Sequence, residues 1–252
     1  DTLALALPGG DTASARAPAL PPAVGDAVIA HSPMRRAIAR RLTESKQTIP
    51  HYYLEVEVDA EPLELLRAQA NRDLGDGKGK ISINDDVLKA VAVALREVPA
   101  VNASWREEGI VRHARVDISV AVAIDDGLVT PVLRDADKKT LHEIATEVRA
   151  LGEQARARKL KPEQMQNGTF SVSNLGMFGV HRFASVINPP EAAILAVGAV
   201  TARPVVRGEV VVAGRTLALT LSADHRVIDG AVGARFLQAL RDFLEHPMRL
   251  VL

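Results

Sequence analysis

The sequence predicts an α+β domain in which helices pack on one side of a mixed sheet. Three observations predict it. Helix and strand patterns are interspersed without the strict alternation of a βαβ fold. Strand patterns crowd the second half. An amphipathic helix pattern from about Asp229 to Glu245 then closes the chain, burying Val232, Phe236, Leu240 and Phe243 or Leu244. No internal repeat is present.

Composition narrows the class. A chain of 252 residues holds one large domain or two small ones. With 47% hydrophobic residues it can build a sizeable core, and with 3% aromatics that core must be aliphatic. Lys+Arg and Asp+Glu are both 31, a formal net charge of zero that argues against a nucleic-acid binder. The absence of cysteine excludes disulfides, thiolate zinc sites and cysteine nucleophiles. No run approaches the roughly 20 apolar residues of a membrane span. Asp1 to Leu7 lacks the pattern of a signal peptide. The expectation is a soluble intracellular protein and, since the chain does not start with Met, a processed piece or an excised domain.

Residues 1–30 carry Pro8, Gly9, Gly10, Pro18, Pro21 and Pro22 among Ala, Thr and Ser, and read as a linker, an arm or a disordered terminus. One domain is expected over 31–252. Ser32-Pro33 opens a helix, serine capping free amides and proline fitting the first turn. Met34, Ile38 and Leu42 form its apolar stripe, and Arg35, Arg36, Arg40 and Arg41 lie on the other faces. Tyr53 to Val58 reads as a strand and Pro62 to Leu74 as a helix. The loop Gly75 to Lys80 is no phosphate cradle, because Gly79-Lys80 is followed by Ile81 instead of Ser or Thr.

Asn84 is expected to cap the next helix, whose stripe is Val87, Leu88, Val91, Leu95 and Val98. Val116 to Ile124 reads as one strand ended by Asp125-Asp126-Gly127. Thr140 and Glu143 make a capping box for a long helix. Thr169–Val172, Ala192–Val197, Pro204–Val212 and Leu217–Leu221 are further strands.

Two stretches carry chemistry. In Ser222 to Gly230 a histidine follows a buried strand and an aspartate opens the next helix. Histidine titrates near neutrality, and at a strand end it can be held rigidly and still reach a pocket. Asp229 can cap the helix, order the turn and pair with a cation. A structural histidine remains an alternative on spacing alone, and a metal reading of His225 with Asp229 lacks a third ligand. In Gly168 to Gly176 a short strand enters a glycine-bounded turn. Ser171 and Ser173 share one face, where a hydroxyl can donate to developing negative charge. No Gly-x-Ser-x-Gly elbow marks either as a nucleophile.

The Asp224-His225-Arg226-Val227-Ile228-Asp229-Gly230 stretch resembles the signature of the dihydrolipoyl acyltransferase (E2) catalytic domain of 2-oxoacid dehydrogenase complexes. Its His-x-x-x-Asp-Gly core is shared with chloramphenicol acetyltransferase. Met34 to Leu42, Asp126 to Pro131, Phe170 to Gly176 and Val186 to Pro190 agree in the family's order, so the resemblance spans residues 31–252. Asn174 to Gly179 is most similar to acetyltransferases of the pyruvate dehydrogenase complex.

The resemblance implies a chloramphenicol acetyltransferase-like two-layer sandwich that is a trimeric building block. It also implies direct acetyl transfer between dihydrolipoamide and coenzyme A, with coenzyme A or acetyl-CoA as substrate. The lipoyl group would ride on a separate domain, and no metal is expected. His225 would be the general base; an ordinary thiol at about 8.5 and imidazole at about 6.5 differ by only roughly 2.7 kcal/mol, which favours proton removal during attack. Activity would fall as that ring is protonated. Ser173 would donate to the oxyanion, with Ser171 second. Asp229 would hold the histidine loop through an arginine of the first helix.

His225 and Ser173 would come from neighbouring subunits of a homotrimer that assembles into a larger hollow core. Met248 to Leu252 would pack at a trimer–trimer contact. Partners would be the lipoyl domain and the E1 and E3 components, in bacterial cytoplasm or mitochondrial matrix, with no nucleic acid and no membrane. His31, His51, His113, His142, His181 and His246 lack a comparable motif and read as surface or structural. Succinyl or branched-chain specificity, a non-catalytic scaffold and a hydrolase using Ser173 and His225 remain alternatives.

Overall fold

The computed structural model describes residue 23, residues 25–75 and residues 79–251. Most of the 1–30 segment, positions 76–78 of the glycine-rich loop and Leu252 lie outside the described residues. Helix α1 (Pro33–Thr48) leads into β1 (His51–Asp59), α2 (Glu61–Leu74) and α3 (Ile83–Glu97). Short strands follow: β2 (Ala103–Arg106), β3 (Gly109–Arg112), β4 (Ile118–Val120), β5 (Val122–Ile124), β6 (Gly127–Val129) and β7 (Val132–Leu133). Then come α4 (Leu141–Arg156), β8 (Phe170–Asn174), β9 (Ala193–Arg207), β10 (Val210–Asp224) and α5 (Gly230–Glu245).

The main sheet has the order β1-β10-β9-β8-β4-β7. Strand β8 runs parallel to both β4 and β9, whereas β1–β10, β10–β9 and β4–β7 are antiparallel, so the sheet is mixed as expected. Strand periodicity separates its two faces. Leu217, Leu219, Leu221 and Ala223 of β10 join Phe170 and Val172 of β8 and the stripes of α3 and α5 in one buried cluster. Phe170 and Phe236 meet there with ring centres 5.5 Å apart. The opposite face carries Thr216, Thr220, Ser222 and Asp224 of β10 and Ser171 and Ser173 of β8. It is therefore the polar side, and it carries the candidate residue Ser173.

Four local expectations change. The strands read at 192–197, 204–212 and 217–221 are two 15-residue strands, β9 and β10, joined around Gly208. Gly208 has φ +62, the left-handed conformation a tight hairpin turn needs. Pro204 is tolerated because β8 pairs β9 only as far as Val197, leaving the later edge free of a ladder that would need its missing N–H. The strand read at 116–124 breaks at Ala121 into β4, in the main sheet, and β5, which pairs with β6.

Helix α3 is capped by Ser82, in a capping box with Asp85, and not by Asn84. The Asn84 side chain instead accepts from Asn174 at the end of β8, at 3.0 Å. The apolar stripe of α1 is not core: Ser45 is the helix's buried residue, Met34 and Leu42 are exposed, and Ile38 is half-buried against Gly127. At the chain end Leu250 turns into the core, while Met248 and Val251 stay exposed.

Candidate active site

His225 begins the turn between β10 and α5, and its ring is exposed. Three contacts fix that turn. The His225 N–H donates to Pro50 O at 3.1 Å. Its ring packs on Tyr52, with centres 4.5 Å apart and planes tilted by 51°. Asp224 and Arg226, on either side of it, form a two-pronged ion pair whose guanidinium stacks on Trp105 at 4.9 Å. Among the described residues, nothing is hydrogen-bonded to the His225 ring nitrogens, and the residue is exposed.

Asp229 caps α5: its Oδ1 accepts the Val232 N–H at 2.8 Å. Its carbonyl accepts the Tyr52 hydroxyl at 2.9 Å. Burial, with the Asp229 charge adding, pushes that phenol up to about 12, so Tyr52 serves as a neutral donor that ties both ends of the histidine turn to β1. The sequence reading missed Tyr52. Tyr52 and Tyr53 both follow Pro50 and His51, and only the register Tyr52↔Ala223 shows which one lies under His225.

The arginine bracing predicted for Asp229 takes another form. Arg41 of α1 donates to Pro189 O, and the motif's own Arg226 braces Asp224. His51 is structural. Its Nδ1 lies 2.9 Å from Ile49 O and its Nε2 accepts the Ile187 N–H at 3.0 Å. Burial lowers its pKa, which favours this neutral tautomer.

Ser173 lies half-buried on β8. Beyond it Asn174 Oδ1 accepts the Gly176 N–H at 2.8 Å, closing the turn. A Cβ at Gly176 would come within 2.6 Å of Gly198 O, so the close approach of the two backbones requires glycine. Ser171 points the same way but is buried, and its hydroxyl donates to Glu191. That commits it to the interior and removes it as the second oxyanion donor.

One chain does not bring His225 and Ser173 together. Ser173 lies opposite Ala196, which lies opposite Thr220, two strands away. Asp224 is four residues further along β10. From strand spacing and rise, Ser173 and the start of the histidine turn are roughly 16 Å apart. A hydroxyl at that distance cannot stabilise an oxyanion formed at the histidine, since useful donors stand about 3 Å away.

The other residue missed is Glu191, one position past Asn188-Pro189-Pro190. It is 3% exposed. Burial pushes its carboxyl up to about 7, against the hydroxyls of Ser119 and Ser171 and the charge of Arg41, which lower it. A buried acid beside two prolines carries no periodic signal that would have found it. Among the described residues, no group of three or more His, Cys, Asp or Glu is placed to hold a metal ion. No helix among them is long and apolar enough to cross a membrane.

Residues 24–252 match the family model of the 2-oxoacid dehydrogenases acyltransferase (catalytic domain). A dihydrolipoyllysine-residue acetyltransferase component of the pyruvate dehydrogenase complex from Rhizobium meliloti is 48% identical over 228 residues, covering 89% of this chain and 51% of that protein. The chain thus spans about half the length of the curated relatives it matches. A crystal structure of the Azotobacter vinelandii dihydrolipoamide acetyltransferase superposes with a TM-score of 0.88 at 33% identity, covering 93% of this chain and all of that one. That work concerns a serine, a histidine 52 positions later and an asparagine 4 further on in the enzyme's catalytic mechanism.

The cubic core of a pyruvate dehydrogenase multienzyme complex gives the same TM-score, identity and coverage. Chloramphenicol acetyltransferase matches at a TM-score of 0.53 and 16% identity over 81% of this chain and 94% of its own, which shows a shared fold.

Proposed function

The chain belongs to the 2-oxoacid dehydrogenase acyltransferase family, and from that premise we propose that it transfers acetyl groups between dihydrolipoamide and coenzyme A. Residues 31–252 are then the catalytic domain and 1–30 a linker or N-terminal arm. His225 removes the proton as the attacking sulfur bonds to the thioester carbonyl. Ser173 of a neighbouring subunit donates to the oxygen as it gains charge. The tetrahedral intermediate collapses with departure of the second thiol, to which His225 returns the proton. No acyl-enzyme is required, because both thiols are held at once.

The separation of Ser173 from His225 within one chain is the observation that carries this reading. Each subunit supplies two half-sites, and only assembly completes a site. The intervals also support it: Ser173 precedes His225 by 52 positions and Asp229 follows by 4, as in the Azotobacter enzyme, with aspartate here in place of asparagine. The trimer, its assembly into a hollow core that lipoyl domains and the E1 and E3 components visit, and an aqueous cytoplasmic or matrix location belong to the same proposal.

Acetyl transfer from acetyl-CoA to dihydrolipoamide, compared between the intact chain and His225→Ala, tests it. Strong transfer that collapses in the variant at unchanged assembly size is the expected result. Faster rates with succinyl- or isobutyryl-CoA would move the acyl specificity. No transfer with any acyl-CoA would leave a scaffold, and thioester loss without an acceptor thiol would indicate a hydrolase.

A further inference from the structure

Residues 187–192 form a strap that touches both half-sites of a subunit. On one side Ala192 O accepts the Asp224 N–H at 2.8 Å, beside His225. On the other the Glu191 carboxyl accepts from Ser119 of β4 and Ser171 of β8, two residues before Ser173. The strap is anchored in turn by Ser45, whose hydroxyl donates to Ile187 O at 2.7 Å, and by Arg41 at Pro189 O. We propose that Glu191 is a positioning residue for acyl transfer, tying the Ser173 strand to the strap that holds the His225 turn. This rests on the function proposed above.

The reasons are geometric. Ser119 and Ser171 are directly opposite each other in parallel register. Both are buried on the polar face of the sheet, and a carboxylate accepts from two hydroxyls at once. The pocket is closed: a Cβ at Gly168 would come within 2.0 Å of the Ser119 hydroxyl and 2.5 Å of Glu191 Oε1. Because β8 is a short strand held between β4 and β9, losing the clasp at Ser171 would let Ser173 shift. A displacement of about 1 Å in a reacting constellation is enough to cost on the order of 100-fold. An apolar residue of similar size would fill the space but strand two buried hydroxyls. Glu191 itself touches no substrate; it acts through Ser173.

The test uses Glu191→Ala, Glu191→Gln and Ser171→Ala, each alone and combined with Ser173→Ala, in the assembled protein. Glu191→Ala and Ser171→Ala should lower kcat about tenfold or more, with KM for CoA changed less than about twofold. Glu191→Gln should recover most of kcat, since its amide still serves both hydroxyls. In the Ser173→Ala background the same changes should cost less than about threefold, because their effect runs through the missing hydroxyl.

Equal losses in both backgrounds, or no loss in either, overturn the inference. If Glu191→Ala fails to assemble, Ser171→Ala decides, because it leaves Glu191 bonded to Ser119. An intact chain that transfers no acyl group sinks the proposed function instead. Amide exchange then judges the clasp: in Ser171→Ala it should quicken over residues 170–174 and not over 217–221, and uniform rates would overturn it.

Discussion

Arg226 grips Asp224 across the residue between them, which is His225. Arg226 Nε lies 3.0 Å from Asp224 Oδ1 and Nη2 lies 2.7 Å from Oδ2. Asp224 is buried, Arg226 is about a third exposed, and the guanidinium's outer face rests on Trp105. The clasp ties the end of β10 to the turn and leaves the His225 ring pointing outward. Charge-assisted, two-pronged pairs of this kind are stronger than single hydrogen bonds and fix direction as well.

Arg226→Met should therefore strand a buried carboxylate. The expected loss of unfolding free energy is about 2–3 kcal/mol, kept low by the exposure of Arg226. Trp105 is the single tryptophan of the chain, so its emission should shift as the stacked cation leaves. Unchanged emission and unchanged kcat would mean that the clasp does not order the histidine turn.

His225→Ala should lower kcat by about 100-fold or more, the usual contribution of a general base. Ser173→Ala should cost about 3–4 kcal/mol in the transition state. Co-expression of the two variants is more telling. If each site takes its histidine and serine from different subunits, mixed assemblies regain a fraction of the activity that neither variant shows alone. Recovery absent from verified mixed assemblies would place both residues of a site in one chain.

Asp229→Ala removes the Val232 cap and should destabilise by about 1 kcal/mol, or about 2–4 °C in thermal midpoint for a domain of this size. Asp229→Asn keeps a capping oxygen and should restore most of that loss. The comparison matters because the Azotobacter enzyme has asparagine at this interval. A large loss of kcat in Asp229→Asn at an unchanged midpoint would give the charge itself a role.

Asp86 on α3 is buried, and its Oδ2 has no hydrogen-bond partner among the described residues. Burial, with the neighbouring Asp85 charge adding and Arg67 opposing, pushes it up from 3.8 to about 8. The folded state thus keeps a proton that the unfolded chain releases, and raising pH across that window lowers stability. Asp86→Asn should be increasingly stabilised over the parent as pH rises from about 4 to about 8, by up to about 6 kcal/mol in all. Parallel stability–pH curves from denaturant titrations would contradict this.

The chain end offers a test of assembly. Leu250 belongs to the chain's own core, whereas Met248 is 56% and Val251 53% exposed. Met248→Ser with Val251→Ser should leave folding intact and yield smaller assemblies by light scattering. Unchanged mass would overturn the proposal that this segment packs between trimers.

By itself the sequence determined what depends on neighbours in the chain. The Thr140–Glu143 capping box, the Ser32-Pro33 start and the Asp229 cap were legible because each needs only residues three or four positions apart. The α3 and α5 stripes were legible because helical period and burial coincide there. His225, Ser173 and Asp229 could be singled out as candidates because their motifs are local. Where local signals competed, reading failed: Ser82 and Asn84 are both good caps, and only packing sends Asn84 to Asn174. The long β9–β10 hairpin was cut into pieces because Pro204 and the glycines interrupt a pattern that unpaired edges tolerate.

The tertiary structure alone decided the rest. Glu191 meets Ser119 and Ser171 across large intervals of sequence, and Tyr52 lies under His225 only through strand register. The roughly 16 Å between Ser173 and the histidine turn follows from which strands neighbour which. Those are long-range choices, made by the burial of the helical face and the closing of the sheet, and no local propensity carries them.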